Sequence, residues 1–395
     1  GNTDGNGFGK FQYEPPSGFL ALCSSNLPDL DISPDKSSQA EDHFDTQLWS
    51  GDSSATRNIA LYDFQPDWSW IKNRTAGNIH VLHDSSRGVS SSINTALTSG
   101  NTDPEGLGVN HTSTTVYGGV SAFLSNGFTL KEGSTDARYV NKTSNNYVGW
   151  SWKANGGTTT SFTESGNNPG GTHQANTTAG FSIVTYTGTG ADGTVSHGLG
   201  AVPAMYLVKN RDVNTHNWIM WHQDFATNGF ISFNLGQQAY YNSARFTSNT
   251  PTSSVFYVGS DGSTNANNED FIAYVFAEVE GYSKFGSYTG NNSTDGPFVY
   301  TGFRPAMIIL KRINDSGGWQ LLDNKRNTFN PVDNYLLPNL FNSEYDGSTL
   351  SPAIGIDFLS NGFKLRTTEA VYNSSGGTFI YWAFAEQPFK FSNGR

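Results

Sequence analysis

The chain has 395 residues and a formal net charge of −11, yet only 14% of its residues are charged while 14% are aromatic. A chain so rich in rings can bury a core, which excludes intrinsic disorder, and it lacks the basic runs that bind nucleic acid. The single cysteine, Cys23, excludes an intrachain disulfide and a cysteine metal cage, and no apolar run is long enough to insert into a membrane.

The first 30 residues stand apart from the rest of the chain. They contain a Phe-Gln-Tyr-Glu-Pro-Pro-Ser-Gly-Phe run over 11–19 and an Asn-Leu-Pro run over 26–28. This pattern resembles the last strand and exit of SPRY-like domains in phage tail proteins. Cys23 follows Leu22 and is expected to be buried. The polar and acidic residues 31–45 are typical of a linker.

Three later segments carry the same landmarks in the same order, which predicts an internal repeat. Each opens with an aromatic residue, Ser or Thr, and then Gly, at 49–51, 186–188 and 288–290. A proline-led apolar strand ending in lysine follows at 66–72, 203–209 and 305–311, and an aromatic-rich strand closes each unit at 147–152, 271–276 and 379–384. We therefore predict repeats over 46–153, 180–284 and 285–395.

Short aromatic and β-branched runs bounded by Gly and Pro indicate strands throughout the repeats. The first and third share a Phe-Leu-Ser-Asn-Gly-Phe turn at 123–128 and 358–363, of which 256–262 is a relic in the second. We predict an all-β chain of three tandem antiparallel β-sandwich domains, jelly-roll or lectin-like, of about 100 residues each. Each domain is expected to bury its own core, and the Gly/Thr/Asn-rich residues 154–179 are expected to be a linker.

The repeat is similar to one found in predicted structural proteins of marine bacteriophages, and the likeness covers roughly residues 44–390. It lies in the Tyr-Thr-Gly opening, the Lys-Asn-Arg strand end, the Ser-Asn-Gly-Phe turn and the Phe-Ala-Glu strand end. The resemblance implies a virion surface role, such as a tail fibre outside the cell. It supplies no catalytic residues.

Two repeated charged positions have a binding interpretation and a structural one. Lys72, Lys209 and Lys311 end equivalent strands and would either grip an anionic group or pack over a hydrophobic sheet edge and discourage edge pairing. Glu278 and Glu386 follow equivalent strands, and a glycoside hydrolase would need a second carboxylate nearby. The second repeat offers Glu280, whereas the third has Gln387, so we favour structural roles for all five repeat-equivalent residues.

Histidines and nucleophiles give no stronger catalytic signal. His80 and His83 frame one strand without a third ligand, so a surface polar pair is favoured over a metal site. No Gly-x-Ser-x-Gly elbow and no phosphate-binding loop occurs. We predict no enzyme activity, no cofactor and no metal.

One segment has the composition of a sugar-binding platform. The candidate ligand-binding residues are Trp218, Trp221, His222, Asp224, Tyr240 and Tyr241. Exposed rings beside polar groups suit the flat faces of sugars. Because neighbouring side chains on a strand alternate in direction, one pair from this segment is expected to pack inward.

Together these features favour a phage virion surface protein that contacts host-surface glycans. Its expected partners are other virion proteins and further copies of itself, preferably in a trimer. One alternative is a purely structural virion component, such as a capsid decoration or fibre shaft. The other is a polysaccharide-degrading enzyme, which would require two or three convergent carboxylates. Exposed aromatic residues on one face would favour binding over spacing.

Overall fold

The computed structural model of the protein describes residues 1–23, 26, 31–32, 36–89, 97–100, 102–105 and 114–386. Two compact units result, residues 1–31 and 32–395. In the first unit, Asp4 accepts hydrogen bonds from the backbone of Asn6, Phe8 and Ala21, and Asn2 pairs with Phe11 in a single bridge. The run over 11–19 forms turns instead of the expected strand, and Cys23 is only partly buried, because this small unit offers it little cover.

The first repeat forms two antiparallel sheets. Its main sheet has the order β1-β8-β3-β4-β5 and its small sheet the order β2-β7-β6. The strands are β1 (Phe44–Ser50), β2 (Thr56–Ile59), β3 (Trp68–Asn73), β4 (Val81–Asp84), β5 (Leu97–Thr98), β6 (Gly119–Leu124), β7 (Gly127–Lys131) and β8 (Asn146–Trp152). A 3-10 helix (Ala40–Asp42) precedes them, and helix α1 (Thr114–Tyr117) lies between β5 and β6.

The second repeat keeps the strand order of the first main sheet. Its sheet runs β16-β15-β14-β13-β18-β11-β10-β9, and β12 pairs with β17 in a small sheet. The strands are β9 (Thr160–Phe162), β10 (Gly170–Asn176), β11 (Phe181–Thr187), β12 (Gly193–Ser196), β13 (Met205–Asn210), β14 (Ile219–His222), β15 (Gly229–Ser232), β16 (Tyr240–Tyr241), β17 (Val255–Val258) and β18 (Asp270–Phe276). Helix α2 (Gly262–Asn265) lies before β18.

The prediction of a linker over 154–179 was wrong, since β9 and β10 extend the second main sheet. Most residues of these two strands are polar or glycine, so no apolar pattern marks them in the sequence. Gln174 is fully buried and its amide contacts the hydroxyls of Ser85 and Ser86 in the first repeat.

The third repeat has a main sheet of order β19-β27-β21-β22 and a small sheet of order β20-β26-β25, with β23 and β24 as a separate pair. The strands are β19 (Ser283–Thr289), β20 (Phe298–Tyr300), β21 (Pro305–Arg312), β22 (Gln320–Asp323), β23 (Asn334–Tyr335), β24 (Tyr345–Asp346), β25 (Ile356–Leu359), β26 (Gly362–Leu365) and β27 (Thr378–Ala385). A 3-10 helix (Gly347–Thr349) and helix α3 (Ala370–Asn373) complete it. The last part of the predicted third repeat, residues 387–395, lies outside the described residues.

The all-β prediction is confirmed, and the main sheets repeat one strand order. The expectation that each repeat is a separate domain with its own core is corrected by the packing. Both faces of the central strands are buried. One face meets the small sheet, while the other joins a core shared by all three repeats, where Trp68 stacks on Tyr274 at 4.2 Å and Phe44 lies 5.1 Å from Phe384.

The opening motif of each repeat has a steric cause. A Cβ on Gly51, Gly188 or Gly290 would lie 2.1, 2.1 or 2.3 Å from the backbone oxygen of Lys142, Ala266 or Ser374, so only glycine fits. Each of these oxygens follows a buried asparagine, namely Asn141, Asn265 and Asn373. The sequence shows the glycines, but the asparagines lack a common flanking motif.

The interpretation of residues 256–262 as a remnant of the Phe-Leu-Ser-Asn-Gly-Phe turn is also corrected. Phe256 pairs with Val195, just as Phe363 pairs with Val299, so β17 takes the place of β26 after the turn. The strand before that turn, β25 in the third repeat, has no counterpart in the second small sheet.

Candidate functional site

The central part of the predicted sugar platform lies in the core. Trp218 and His222 are fully buried and Trp221 is 7% exposed. Trp218 donates from Nε1 to the Thr98 oxygen at 2.8 Å, while Trp221 stacks on Tyr206 at 5.1 Å. Alternation on β14 sends these rings to opposite faces of a sheet that is covered on both sides, so neither presents a face to solvent.

The remaining platform residues are exposed. Asp224 follows β14 in a turn, and Tyr240 and Tyr241 form the outer strand β16, with exposed fractions of 41% and 61%. Tyr240 rests 6.1 Å from Phe230, whose other neighbour is the Arg245 guanidinium at 4.4 Å. The structure thus retains two tyrosines and one carboxylate of the six predicted ligand-binding residues at the surface.

The three repeat-equivalent lysines are core residues, which corrects their expected place at a sheet edge. Strands β3, β13 and β21 each lie between two neighbours, and Lys72, Lys209 and Lys311 are fully buried. Burial lowers the pKa of Lys72 and Lys209 to about 7 and that of Lys311 to about 8.

Each lysine Nζ donates to backbone oxygens, and two of them cross to another repeat. Lys72 reaches the Phe341 oxygen of the third repeat, and Lys209 reaches the Thr102 oxygen of the first, both at 3.2 Å. Lys311 donates to the Arg312 oxygen at 2.5 Å. Lys72 and Lys209 therefore link two repeats, and none of the three lysines has an exposed ammonium with which to hold an external anion.

The two predicted carboxylates are held in ion pairs. Glu278 contacts Lys284 Nζ at 2.6 Å and accepts from the Phe285 N–H at 3.0 Å. Glu386 is paired with Arg304. Both groups join strand ends within the fold, and Glu280 is exposed.

His80 and His83 are buried instead of lying on the surface as predicted. The Nδ1 of His80 accepts from Trp70 Nε1 at 2.8 Å, and the Nε2 of His83 accepts from the Val120 N–H at 3.2 Å. Burial lowers the pKa of His83 to about 3 and that of His80 well below its usual value. In the part of the chain that the structure describes, no three His, Cys, Asp or Glu side chains are grouped to hold a metal ion.

A charged network that sequence analysis missed joins the first repeat to the second. Asp84 accepts from Arg87 Nε at 2.6 Å and from the Tyr274 hydroxyl at 2.8 Å. Glu105 lies 3.5 Å from Arg87 Nη1, is paired with Arg211, and donates its N–H to the Arg211 oxygen at 2.9 Å. We call Asp84, Arg87, Glu105 and Arg211 the first network.

An equivalent second network joins the third repeat to the first. Its members are Asp323, Arg326, Glu344 and Arg74. Asp323 accepts from Arg326 Nε at 2.6 Å, and Glu344 lies 2.9 Å from Arg326 Nη1 and 2.7 Å from Arg74 Nη2. The Glu344 N–H again donates to the Arg74 oxygen at 2.9 Å. Burial would raise the pKa of Glu344, but hydrogen bonds and charge from Arg74 and Arg326 hold it below its usual value.

The third contact, between the second and third repeats, carries no charge at the same positions, because burial lowers the pKa of His222 to about 3. The Ala239 N–H donates to the Ile313 oxygen at 2.9 Å, matching the two glutamate contacts, and His222 lies 5.8 Å from Phe225 where the networks have Asp and Arg. We call His222, Phe225, Ala239 and Ile313 the uncharged contact. The Asp-x-x-Arg spacing shared by 84–87 and 323–326 is the sequence signal that could have revealed the networks.

A further exposed aromatic pair lies on the small sheet of the third repeat. Phe298 and Tyr300 are 45% and 65% exposed on β20, whereas Val299 between them points into the core. Lys364 lies opposite Phe298 on β26, and its Nζ contacts the exposed Asp295 at 2.7 Å. Sequence analysis did not single out this pair, because two alternate aromatic residues are equally typical of a buried strand face.

Comparison with known proteins places the chain in a family. No curated protein and no solved structure matches it. Among the described residues, no helix combines the length and apolar character needed to cross a membrane. Residues 39–388, which include the first two repeats and most of the third, match the family described as Domain of unknown function (DUF7483). Because this match extends over most of the sequence, the chain belongs to the DUF7483 family.

Proposed function

We propose that this protein is a phage virion surface protein, part of a tail fibre or related appendage, that contacts host-surface glycans through exposed aromatic side chains. The virion setting rests on the resemblance of the repeat. The observation that carries the glycan contact is the contrast between buried and exposed rings. All nine tryptophans are buried, while Tyr240, Tyr241, Phe298 and Tyr300 remain in solvent on strands β16 and β20.

Rings on strands are suitable binding groups because the sheet fixes their backbone. A tyrosine has few rotatable bonds, so little conformational entropy is lost when it contacts a ligand. The chain is low in charge and rich in Ser, Thr and Asn, which can hydrogen-bond to sugar hydroxyls around an apolar ring. These properties support recognition of a polyhydroxylated surface.

The leading alternative is a purely structural virion component. It is favoured by the burial of Trp218 and Trp221, whose rings contribute to the core. The enzyme hypothesis has less support, since Glu278 and Glu386 are each engaged in an ion pair.

A glycan array with the purified chain, run beside sedimentation, tests the proposal. Selective binding by the folded protein would support glycan contact. A well-folded chain that binds no glycan would instead favour the structural component. Trp221→Ala is not a suitable surface test, because deleting a buried indole costs roughly 3–5 kcal/mol of folding free energy.

A further inference from the structure

We propose that Phe298 and Tyr300 form a binding site for a neutral polysaccharide on the outer face of the third small sheet. This inference rests on the proposed function and assigns its contact to two residues. Both side chains point outward from β20, and residues two apart on a strand lie about 6.5–7 Å apart on one face. The two rings can therefore contact neighbouring parts of one sugar chain.

The repeats themselves show that the fold does not need these rings. Val299 pairs with Phe363 as Val195 pairs with Phe256 and as Ile59 pairs with Phe128, so the residues before them are equivalent. Asn58 and Thr194 occupy the position of Phe298. Two of three copies thus fold with a small polar residue there.

The surroundings of this position also differ between the three repeats. In the first repeat, Asn58 accepts a hydrogen bond from the Thr129 hydroxyl at 2.9 Å. In the second, Thr194 donates to Asn168 at 2.9 Å, within a turn that approaches β12 closely. In the third repeat the equivalent ring is 45% exposed. The exposed aromatic pair is therefore a property of the third repeat alone among these equivalent positions.

The charges beside the rings favour a neutral ligand. Lys364 is paired with Asp295 at 2.7 Å and Arg366 with Asp357 at 2.5 Å, and Asp357 lies opposite Lys364 on β25. These paired groups can donate and accept hydrogen bonds with hydroxyls without presenting excess charge of one sign. A polyanion would have to compete with Asp295 and Asp357 for the same cations.

A sugar chain also fits the size of the surface better than a protein does. Two aromatic side chains bury about 150–250 Å² each. A stable protein interface buries about 800 Å² on each partner. A glycan of a few residues needs only such a small platform with a polar margin.

The test compares the full chain with two double variants. Phe298→Thr with Tyr300→Ser gives β20 the residues found at Thr194 and Ser196. Tyr13→Ser with Phe19→Thr removes an equal number of exposed rings from residues 1–31, which the proposed glycan contact does not use, and is the matched control. The probes are dextran, mannan and galactan as neutral polysaccharides and polygalacturonate as the anionic one, measured by titration calorimetry with thermal unfolding as a check on folding.

We expect the chain to bind at least one neutral polysaccharide, and the β20 variant to bind it roughly tenfold more weakly or worse at unchanged Tm, since loss of an aromatic anchor commonly has this effect. The Tyr13/Phe19 variant should bind as the parent does. Equal binding by parent and β20 variant would overturn this site while leaving glycan contact intact, as would loss confined to the Tyr13/Phe19 variant. Preference for polygalacturonate would overturn the neutral ligand, and a parent that binds no probe would count against the proposed function itself.

Discussion

Lys209 is a buried amine, and its burial in the folded protein disfavours the protonated, charged form. In the unfolded chain its pKa is about 10.4, whereas burial lowers the pKa to about 7 in the folded protein. Between these values the unfolded state binds more protons than the folded state, so the free energy of unfolding rises with pH. Lys72 and Lys311 act in the same direction.

We expect Lys209→Met to reduce the rise in unfolding free energy between about pH 7 and 9.5, because it removes one of the protons taken up on unfolding. Urea denaturation at several pH values measures this slope. Lys142→Met, at an exposed lysine, controls for loss of a positive charge. A slope unchanged by Lys209→Met would mean that the ammonium titrates normally in the folded protein.

At the scale of strands and loops, each contact between repeats is made by four equivalent positions that are either charged together or uncharged together. Where Asp84, Arg87 and Glu105 have charges, His222, Phe225 and Ala239 have none, and Ile313 replaces the arginine on the opposite side. Removing one member of a buried ion network leaves an uncompensated charge, whereas replacing the whole network by apolar groups avoids that cost. The chain contains both solutions at equivalent positions.

We therefore expect Asp84→Ala alone to lower the free energy of unfolding by about 3–5 kcal/mol, since Arg87 and Tyr274 lose a buried partner. The fourfold change Asp84→His, Arg87→Phe, Glu105→Ala and Arg211→Ile copies the uncharged contact and should cost less than the single change. Chemical denaturation of both variants checks the order. A larger loss in the fourfold variant would show that the two kinds of contact are not interchangeable.

Particular residues show what could be read from sequence at this scale. The three lysines, the opening glycines and the closing aromatic strands were visible because they recur at matching places. The burial of Lys72 and Trp218 was not, since it depends on which repeat covers the second face of the sheet. Strand β10 escaped detection for a different reason, because its Gln174 is buried by hydrogen bonding and carries no apolar signal.

For the whole molecule, the contacts between repeats close a ring. The first repeat meets the second through Glu105 and Arg211, the second meets the third through Ala239 and Ile313, and the third meets the first through Glu344 and Arg74. A threefold arrangement thus exists within one chain. The homotrimer expected from the fibre resemblance is not needed to create it.

We accordingly expect the purified chain to sediment as a monomer of about 43 kDa. The faces that would join separate copies of a single repeat are already buried in the shared core. Sedimentation velocity at several micromolar concentrations measures the state. A stable trimer of chains would restore the original expectation and would require a further interface outside the shared core.

The difference between the uncharged contact and the two charged networks also determines the cyclic order in which the three repeats assemble. If the three repeats closed in the opposite cyclic order, Glu105 would face Ile313 and lose its arginine partner. In the same misassembled ring, Arg74 would meet Ala239 and Phe225, which offer no carboxylate. Three similar repeats with identical interfaces could assemble in either cyclic order. Two salt-bridged interfaces and one uncharged interface give each repeat a distinct neighbour, so only one cyclic order satisfies every charge.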